Sequence, residues 1–311
     1  MATLGVDLGG TNVRAAVVDG AGNVVAEARR PHGGGAPEQV AEVIAEVIRE
    51  ATEKVPLVPV YGVGVGIAAQ VDDQTGVVEV APNLGWRDVP FANVLSERLG
   101  RSVVLLNDLS AAAWGEYRVG AGAGAEALLV VFVGTGVGAA IITGGALYRG
   151  ASGVAAELGH VKLVPGGRRC GCGDDGCVEA YAGGVSLKQQ LREALEESRG
   201  TGLAEFVARS GRPLEGSLLE EAAAAGDPVA QVILQRAGSL LGLAVANQVT
   251  MVNPERLILG GGTLQHLPSL RRAIVTGVRA YATRSSLAHL TIADAKLGDR
   301  SGLVGAALLA A

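Results

Sequence analysis

Thr3-Leu-Gly-Val-Asp7-Leu-Gly-Gly-Thr11-Asn12-Val-Arg-Ala-Ala-Val-Val-Asp19 is the stretch on which the fold turns. Thr3 to Asp7 is a short apolar run that stops at Gly9-Gly10-Thr11-Asn12, and Val13 to Asp19 reads as a strand returning beside it. Gly20-Ala-Gly22 supplies a second turn and Asn23 to Arg29 a third strand. Two hairpins in succession predict an antiparallel start to a sheet. The pattern recurs as Ala127 to Val133, the turn Gly134-Thr135-Gly136, Val137 to Thr143, Gly144-Gly145, and Ala146 to Arg149. Ala121-Gly-Ala-Gly-Ala125 lies between the copies and marks the domain boundary. One strand–turn–strand unit per half predicts two similar α/β domains.

The intervening segments fit that reading. Pro37-Glu38 opens a helix whose Val40, Val43, Ile44, Val47, Ile48 and Ala51 keep a 3.6-residue period. Val58 to Ile67 and Ser102 to Leu106 are strands, Gly76 to Val80 is a hairpin strand, and Phe91 to Leu99 is a helix. Another helix begins at Asp108 and runs to Arg118. Helices dominate after the second copy: Gly184 to Arg199, Gly202 to Ser210, Ser217 to Ala225, and Asp227 to Val252. Asp227 caps the last of these with Pro228 at its first position, and Pro254 ends it. The strand Arg256 to Leu259 stops at Gly260-Gly261-Gly262. A helix from Leu267 to Ala282, a strand from Leu290 to Ala293 and a helix from Gly302 to Ala311 close the chain. The final helix is expected to return to the N-terminal domain. That domain is then discontinuous (1–120 with 301–311), and 121–300 form the second.

Glu157-Leu-Gly-His160 and Cys170-Gly-Cys172-Gly-Asp-Asp-Gly-Cys177-Val-Glu179 hold all three cysteines and one of the four histidines. Cysteines of an ordinary apolar core would be scattered through strands. These stand among Gly, Arg and Asp, in the pattern of a four-ligand zinc site of His160, Cys170, Cys172 and Cys177. Four protein ligands leave no open position, so such an ion is structural. Clustered thiols favour metal over disulfides and a reducing compartment.

Composition narrows the function classes. A net charge of −5 without a Lys/Arg run argues against nucleic acid as a partner. Asp7 and the early glycines interrupt any apolar leader, and no eighteen-residue apolar run lacks breakers, so neither a signal peptide nor a membrane span is expected. A cytoplasmic protein is expected.

Asp7-Leu-Gly-Gly-Thr11-Asn12 and Val133-Gly134-Thr135-Gly136 share one chemistry. Glycines let backbone N–H groups approach an anion, a Thr hydroxyl adds a donor, and an Asp at a strand end holds Mg2+ through water. Glycines that only make hairpin turns give the same letters. Neither turn is a P-loop or a Rossmann fingerprint. Gly260, Gly261 and Gly262 form a third turn, placed for adenine and ribose. Together, Gly9, Gly10, Thr11, Asn12 and the two later turns imply a nucleotide in a cleft between the domains. Asp108 stands where a buried strand stops and a helix starts, as either helix cap or catalytic carboxylate. His32, His266 and His289 read as surface or cap residues, Asp72 and Asp73 as loop charges, and Trp86 as a packing anchor.

Four separated motifs (Asp7–Asn12, Asn107-Asp108, Gly134–Gly138, and Glu157–His160 with Cys170–Glu179) give the chain its resemblance to sugar kinases of the ROK family. It looks closest to the bacterial glucokinases of that family. The resemblance implies a two-domain actin/hexokinase-like, ribonuclease H-like α/β fold with a structural zinc site. It implies ATP-dependent phosphorylation of a hexose 6-hydroxyl, D-glucose first, with ATP carried as its Mg2+ complex. N-acetylglucosamine, N-acetylmannosamine, fructose and allose are alternative substrates within the family. It assigns Asp108 as general base and Asn83, Asn107, Glu157, His160 and Glu179 to the sugar hydroxyls, with a dimer or tetramer as the assembly. Ala69 replaces a glycine present in many relatives, on a loop that borders the sugar. Family members that act as repressors carry an N-terminal helix-turn-helix; a first strand at Thr3 leaves no room for one, so a sensor or repressor is the weaker reading.

Overall fold

The computed structural model describes residues 1–197 and 202–311. The expected end of a helix at Arg199 lies outside them. In chain order the strands are β1 (Ala2–Leu8), β2 (Asn12–Asp19), β3 (Val24–Pro31), β4 (Val60–Ile67), β5 (Gln70–Asp72), β6 (Val77–Ala81), β7 (Trp86–Val89), β8 (Val103–Asn107), β9 (Ala127–Val133), β10 (Val137–Thr143), β11 (Ala146–Leu147), β12 (Arg256–Gly260) and β13 (Thr291–Asp294). The helices are α1 (Pro37–Glu53), α2 (Phe91–Leu99), α3 (Asp108–Val119), α4 (Glu179–Ala182), α5 (Gly184–Glu197), α6 (Gly202–Ser210), α7 (Gly216–Ala224), α8 (Pro228–Val252), α9 (Gly262–His266), α10 (Pro268–Tyr281), α11 (Arg284–Leu287) and α12 (Ser301–Leu309).

The chain divides into two compact units. The first comprises 1–126, 140–155 and 295–311, and the second 127–139 and 156–294. Residues 121–126, 140–155 and 295–300 thus cluster in the first unit, where the sequence alone had assigned them to the second domain. The repeat seen in the sequence becomes a repeated topology. One sheet runs β3-β2-β1-β4-β8 and the other β11-β10-β9-β12-β13. In each, an antiparallel hairpin is extended by parallel strands: β1 with β4 and β4 with β8, β9 with β12 and β12 with β13. β5, β6 and β7 add a three-stranded antiparallel sheet, of which the sequence indicated only the middle strand.

In the first unit, α1 buries Val40, Ala41, Ile44, Val47, Ile48 and Ala51, its expected face, into a core with Val6, Val17 and Val65. The terminal helix α12 packs on β1, β4 and α3. The fit depends on glycine: a Cβ on Gly5 would land on the Leu303 carbonyl, one on Gly64 on that of Ala306, and one on Gly305 on that of Ala111. Buried Glu116 takes backbone N–H bonds from Ala121 (2.8 Å), Lys296 (3.0 Å) and Leu297 (2.8 Å). Those donors supply the partners a buried carboxylate requires.

In the second unit, Asp227 caps α8 by accepting the Ala230 N–H at 2.9 Å, with Pro228 in the first turn. Among the described residues α8 is long and apolar enough by length and composition to cross a bilayer, a test that the core helix of a globular domain also passes. Half of its most apolar stretch is buried, including Leu234, Leu241, Val245 and Val249. A helix that packs against several core elements reaches that hydropathy without a bilayer.

Candidate active site and metal centre

In the first unit the register pairs Leu8 with Ile67 and Ile67 with Asn107, so β1, β4 and β8 end in one row. Asp7 and Asp108 sit at that edge, where open α/β sheets place ligands. Asn107 is the N-cap of α3. Its Oδ1 accepts from Leu109 N (3.0 Å) and Ser110 N (3.2 Å), and its Nδ2 donates to the Ala69 carbonyl at 3.1 Å. Asp108 is therefore the first helical residue and not the cap. Its Oδ1 accepts the Leu109 N–H at 2.8 Å, and among the described residues its carboxylate makes no ion pair. Burial pushes its carboxyl up to about 6; the Leu109 N–H opposes this and nearby Asp7 adds to it. Asp7 is raised too, by burial against the pull of Arg14.

The turn after β1 is closed by Gly9 N donating to the Asn12 carbonyl (3.0 Å), with Asn12 Nδ2 on Thr11 Oγ1 (2.9 Å). His32, expected at the surface, is buried behind this turn. Its Nδ1 accepts the Gly34 N–H at 3.0 Å, which leaves Nε2 to donate to the Gly9 carbonyl at 2.9 Å. Asn83 is exposed beside Gly10, its amide 3.6 Å from the place a Gly10 Cβ would take. Asp73, read as a loop charge, forms a two-point pair with Arg149 (2.8 and 2.9 Å) with only 11% of its side chain exposed. The pair borders a small cavity that also touches Asn107 and Ser110.

In the second unit, the turn after β9 has every carbonyl engaged. Gly134 O accepts from Gly184 N (2.9 Å) and Thr263 Oγ1 (2.7 Å), Thr135 O from Val185 N (3.0 Å), and Gly136 O from Gly134 N (3.0 Å). Gly260 ends β12, and Gly261 turns with φ +97° against Val133, so the two glycine turns are neighbours.

His160, Cys170, Cys172 and Cys177 converge, their ligand atoms all within 4.8 Å of one another. Cys170 Sγ is 3.8 Å from His160 Nδ1, and Cys172 Sγ is 3.8 Å from Cys177 Sγ. Thiolates held about 2.3 Å from one ion in a tetrahedron lie about 3.8 Å apart. The residues therefore fit zinc. Burial, with the neighbouring Cys172 and Cys177 thiols adding to it, pushes the Cys170 thiol up to about 12, so a cation is what would keep it a thiolate. Cys172 is exposed and lowered, chiefly by the Asp174 N–H.

His160 uses Nδ1 toward the cysteines and turns Nε2 toward Glu157 Oε2, 3.8 Å away. Burial raises the Glu157 carboxyl, His160 opposes this and Glu179 adds to it. Glu157 follows Ala156, a non-glycine residue at φ +67°, the kind of strained position found at ligand sites. Glu157 also lines a cavity of about 170 Å3 with Gln248. Glu179 Oε2 accepts the Val137 N–H at 2.9 Å, and Oε1 is 3.8 Å from Cys170 Sγ.

Most candidate residues thus gather within their own unit: Asp7, Gly9–Asn12, Asn83, Asn107 and Asp108 in the first, and the remainder in the second. Sequence reading missed His32, the Asp73–Arg149 pair, Thr263 and Gln248. Three glycines after His32 and a Thr after Gly262 were the only local signals.

The profile described as "ROK family" matches residues 3–311. The chain is 35% identical to a glucokinase of Streptomyces coelicolor, over 99% of this chain and 97% of that protein. Its fold is similar to a ROK family glucokinase from Streptomyces griseus in complex with glucose and AMPPNP (TM-score 0.83, 36% identity, 100% and 99% of the two chains). It is equally similar to a ROK hexokinase from Thermus thermophilus (TM-score 0.83, 34% identity, 100% and 98%). With a matched profile over nearly its whole length and relatives above 30% identity, the chain belongs to the ROK family.

Proposed function

We propose that this protein is an ATP:hexose 6-phosphotransferase and that D-glucose is its substrate. One observation carries the reading: a carboxyl with no cation to pair it among the described residues, Asp108, is held at the carboxyl edge of the parallel strands β1, β4 and β8, beside Asp7 and a glycine turn. Likeness to glucokinases, one of them solved with glucose and an ATP analogue, supports glucose and ATP.

Asp108 accepts the 6-hydroxyl proton as that oxygen attacks the γ-phosphorus. The new P–O bond forms as the bond to the β-phosphate oxygen breaks, and ADP leaves. A base raised to about 6 is mostly ionised at neutral pH and still basic enough to take the proton. Asp7 would hold Mg2+ through water, and the ion offsets charge on the phosphates. The turns at Gly9–Asn12 and Gly134–Gly136 offer N–H groups to phosphate, and Gly260–Gly262 borders adenine and ribose. Sugar hydroxyls fall to Asn83, Asn107, Glu157, His160 and Glu179. Asn107 keeps one N–H for this, since its oxygen caps α3. Buried carboxylate–hydroxyl pairs discriminate strongly against sugars lacking the hydroxyl. Zinc would fix the loop that carries His160 and Glu179 and takes no part in transfer.

The thiol cluster supports a reducing, cytoplasmic setting; the dimer or tetramer rests on the family resemblance. A coupled assay over glucose, fructose, mannose, allose and the N-acetylhexosamines, with ATP and polyphosphate, tests the reading. Glucose with ATP is expected to give the highest kcat/KM. A higher value on an N-acetylhexosamine would replace glucose, and no turnover on any sugar would sink the enzyme reading.

A further inference from the structure

We infer that Thr263 and Glu179 are positioning residues for the nucleotide, clamping the Gly134–Gly136 turn from its two ends. The inference rests on the kinase reading and adds residues to its phosphate site. Thr263 lies 129 residues from Gly134 in sequence, yet its hydroxyl donates to the Gly134 carbonyl at 2.7 Å. That carbonyl also accepts the Gly184 N–H, so both its lone pairs are used. Gly184 has to be glycine for this: a Cβ there would stand 2.7 Å from the Gly134 oxygen and 2.8 Å from Thr263 Oγ1. At the other end, Glu179 Oε2 takes the Val137 N–H at 2.9 Å and fills the space a Gly136 Cβ would need.

With its three carbonyls tied down, the turn cannot present oxygen to an anion. The N–H groups of Thr135 and Gly136 have no acceptor among the described residues, which is the arrangement a phosphate oxygen selects. Thr263 also stands in the first turn of α9, directly after Gly261-Gly262, so its hydroxyl joins the two glycine turns assigned to the nucleotide. Glu179 follows Cys177 by two residues, and its second oxygen faces Cys170. The metal-ligand loop is thereby linked to the phosphate turn as well as to the proposed sugar contacts.

Thr263→Val keeps the side-chain shape and removes the donor. KM for ATP should rise about tenfold, the usual effect of one lost hydrogen bond of this kind. KM for glucose should stay within about twofold, and Thr263→Ser should restore most of the loss. Glu179→Ala should raise KM for both substrates, and Gly136→Ala, which displaces the Glu179 carboxylate, should raise that for ATP. Calorimetric titration of the same proteins with MgADP should show the same losses without reference to turnover. Thr263→Val with unchanged KM for ATP and unchanged MgADP affinity overturns the clamp, and unchanged ATP dependence in Glu179→Ala removes Glu179 from it. A wild type that phosphorylates no hexose but loses MgADP affinity on Thr263→Val would overturn the kinase reading while keeping the clamp. No MgADP binding by the wild type overturns both.

Discussion

Asn107 caps the helix that Asp108 begins: its Oδ1 accepts the N–H groups of Leu109 and Ser110 at 3.0 and 3.2 Å. A cap is normally the rival explanation for an Asp at a strand–helix junction. Here the neighbour takes that task, and the Asp108 carboxyl is left at the sheet edge with the Leu109 N–H and, among the described residues, no cation. That division of labour between adjacent residues underlies the assignment of Asp108 as base.

The rate should follow the ionisation of Asp108. A base works only when deprotonated, and burial places this carboxyl at about 6. kcat/KM for glucose should therefore be flat from pH 7 to 8 and fall about tenfold per pH unit once the pH is well below 6. A profile still flat at pH 4.5 would show that no such group is needed.

The same burial makes Asp108 a cost to stability. Its folded value lies well above the ordinary carboxylate range, so the native state binds the extra proton between about pH 4 and 6 and stability falls as pH rises through that window. About two pKa units set an upper bound of about 3 kcal/mol, reduced because the residue keeps part of its surface in water. Asp108→Asn should thus be more stable than wild type at pH 8, with the gain shrinking toward pH 4. Denaturant melts at the two values measure it, and an equal difference at both would contradict the desolvated carboxyl.

Metal analysis should return about one zinc per chain. Cys177, fully buried and in the ligand set, is the sharpest probe. Cys177→Ser should lose the metal and lower the melting temperature by about 10 °C, as loss of several kcal/mol does in domains of this size. His160→Ala should weaken both zinc and glucose, because its two nitrogens face different partners. A metal-free chain that melts with the wild type would remove the site.

Gly305 is one of the glycines on which the docking of α12 depends. Gly305→Ala would put a carbon on the Ala111 carbonyl of α3, and backbone on both sides leaves nothing flexible to yield. A loss of about 2–4 kcal/mol is expected, seen as a shifted urea midpoint. A neutral substitution would mean that the two helices are not in such close contact.

Much of this was legible from local pattern. The period of α1, the Asp227-Pro228 start of α8 and the repeated glycine turns all carry their physics within a few residues. The cysteine spacing did the same for the metal loop. What could not be read was long-range. His32 looked like a loop residue because its partner, the Gly9 carbonyl, lies 23 residues away. Asp73 looked solvated because Arg149 is 76 residues on, and Thr263 was one more residue after three glycines. The β5–β7 sheet escaped notice because its flanking strands are three and four residues long, too short for an alternation to register.

The central claim is that Asp108 takes the proton from the sugar. It is tested most directly by initial rates of glucose phosphorylation by zinc-loaded, folded wild type and Asp108→Asn at pH 7.5, with glucose affinity measured alongside by calorimetry. The account predicts a fall in kcat of about a thousandfold or more, with glucose binding still detectable. Turnover within tenfold of wild type would contradict it.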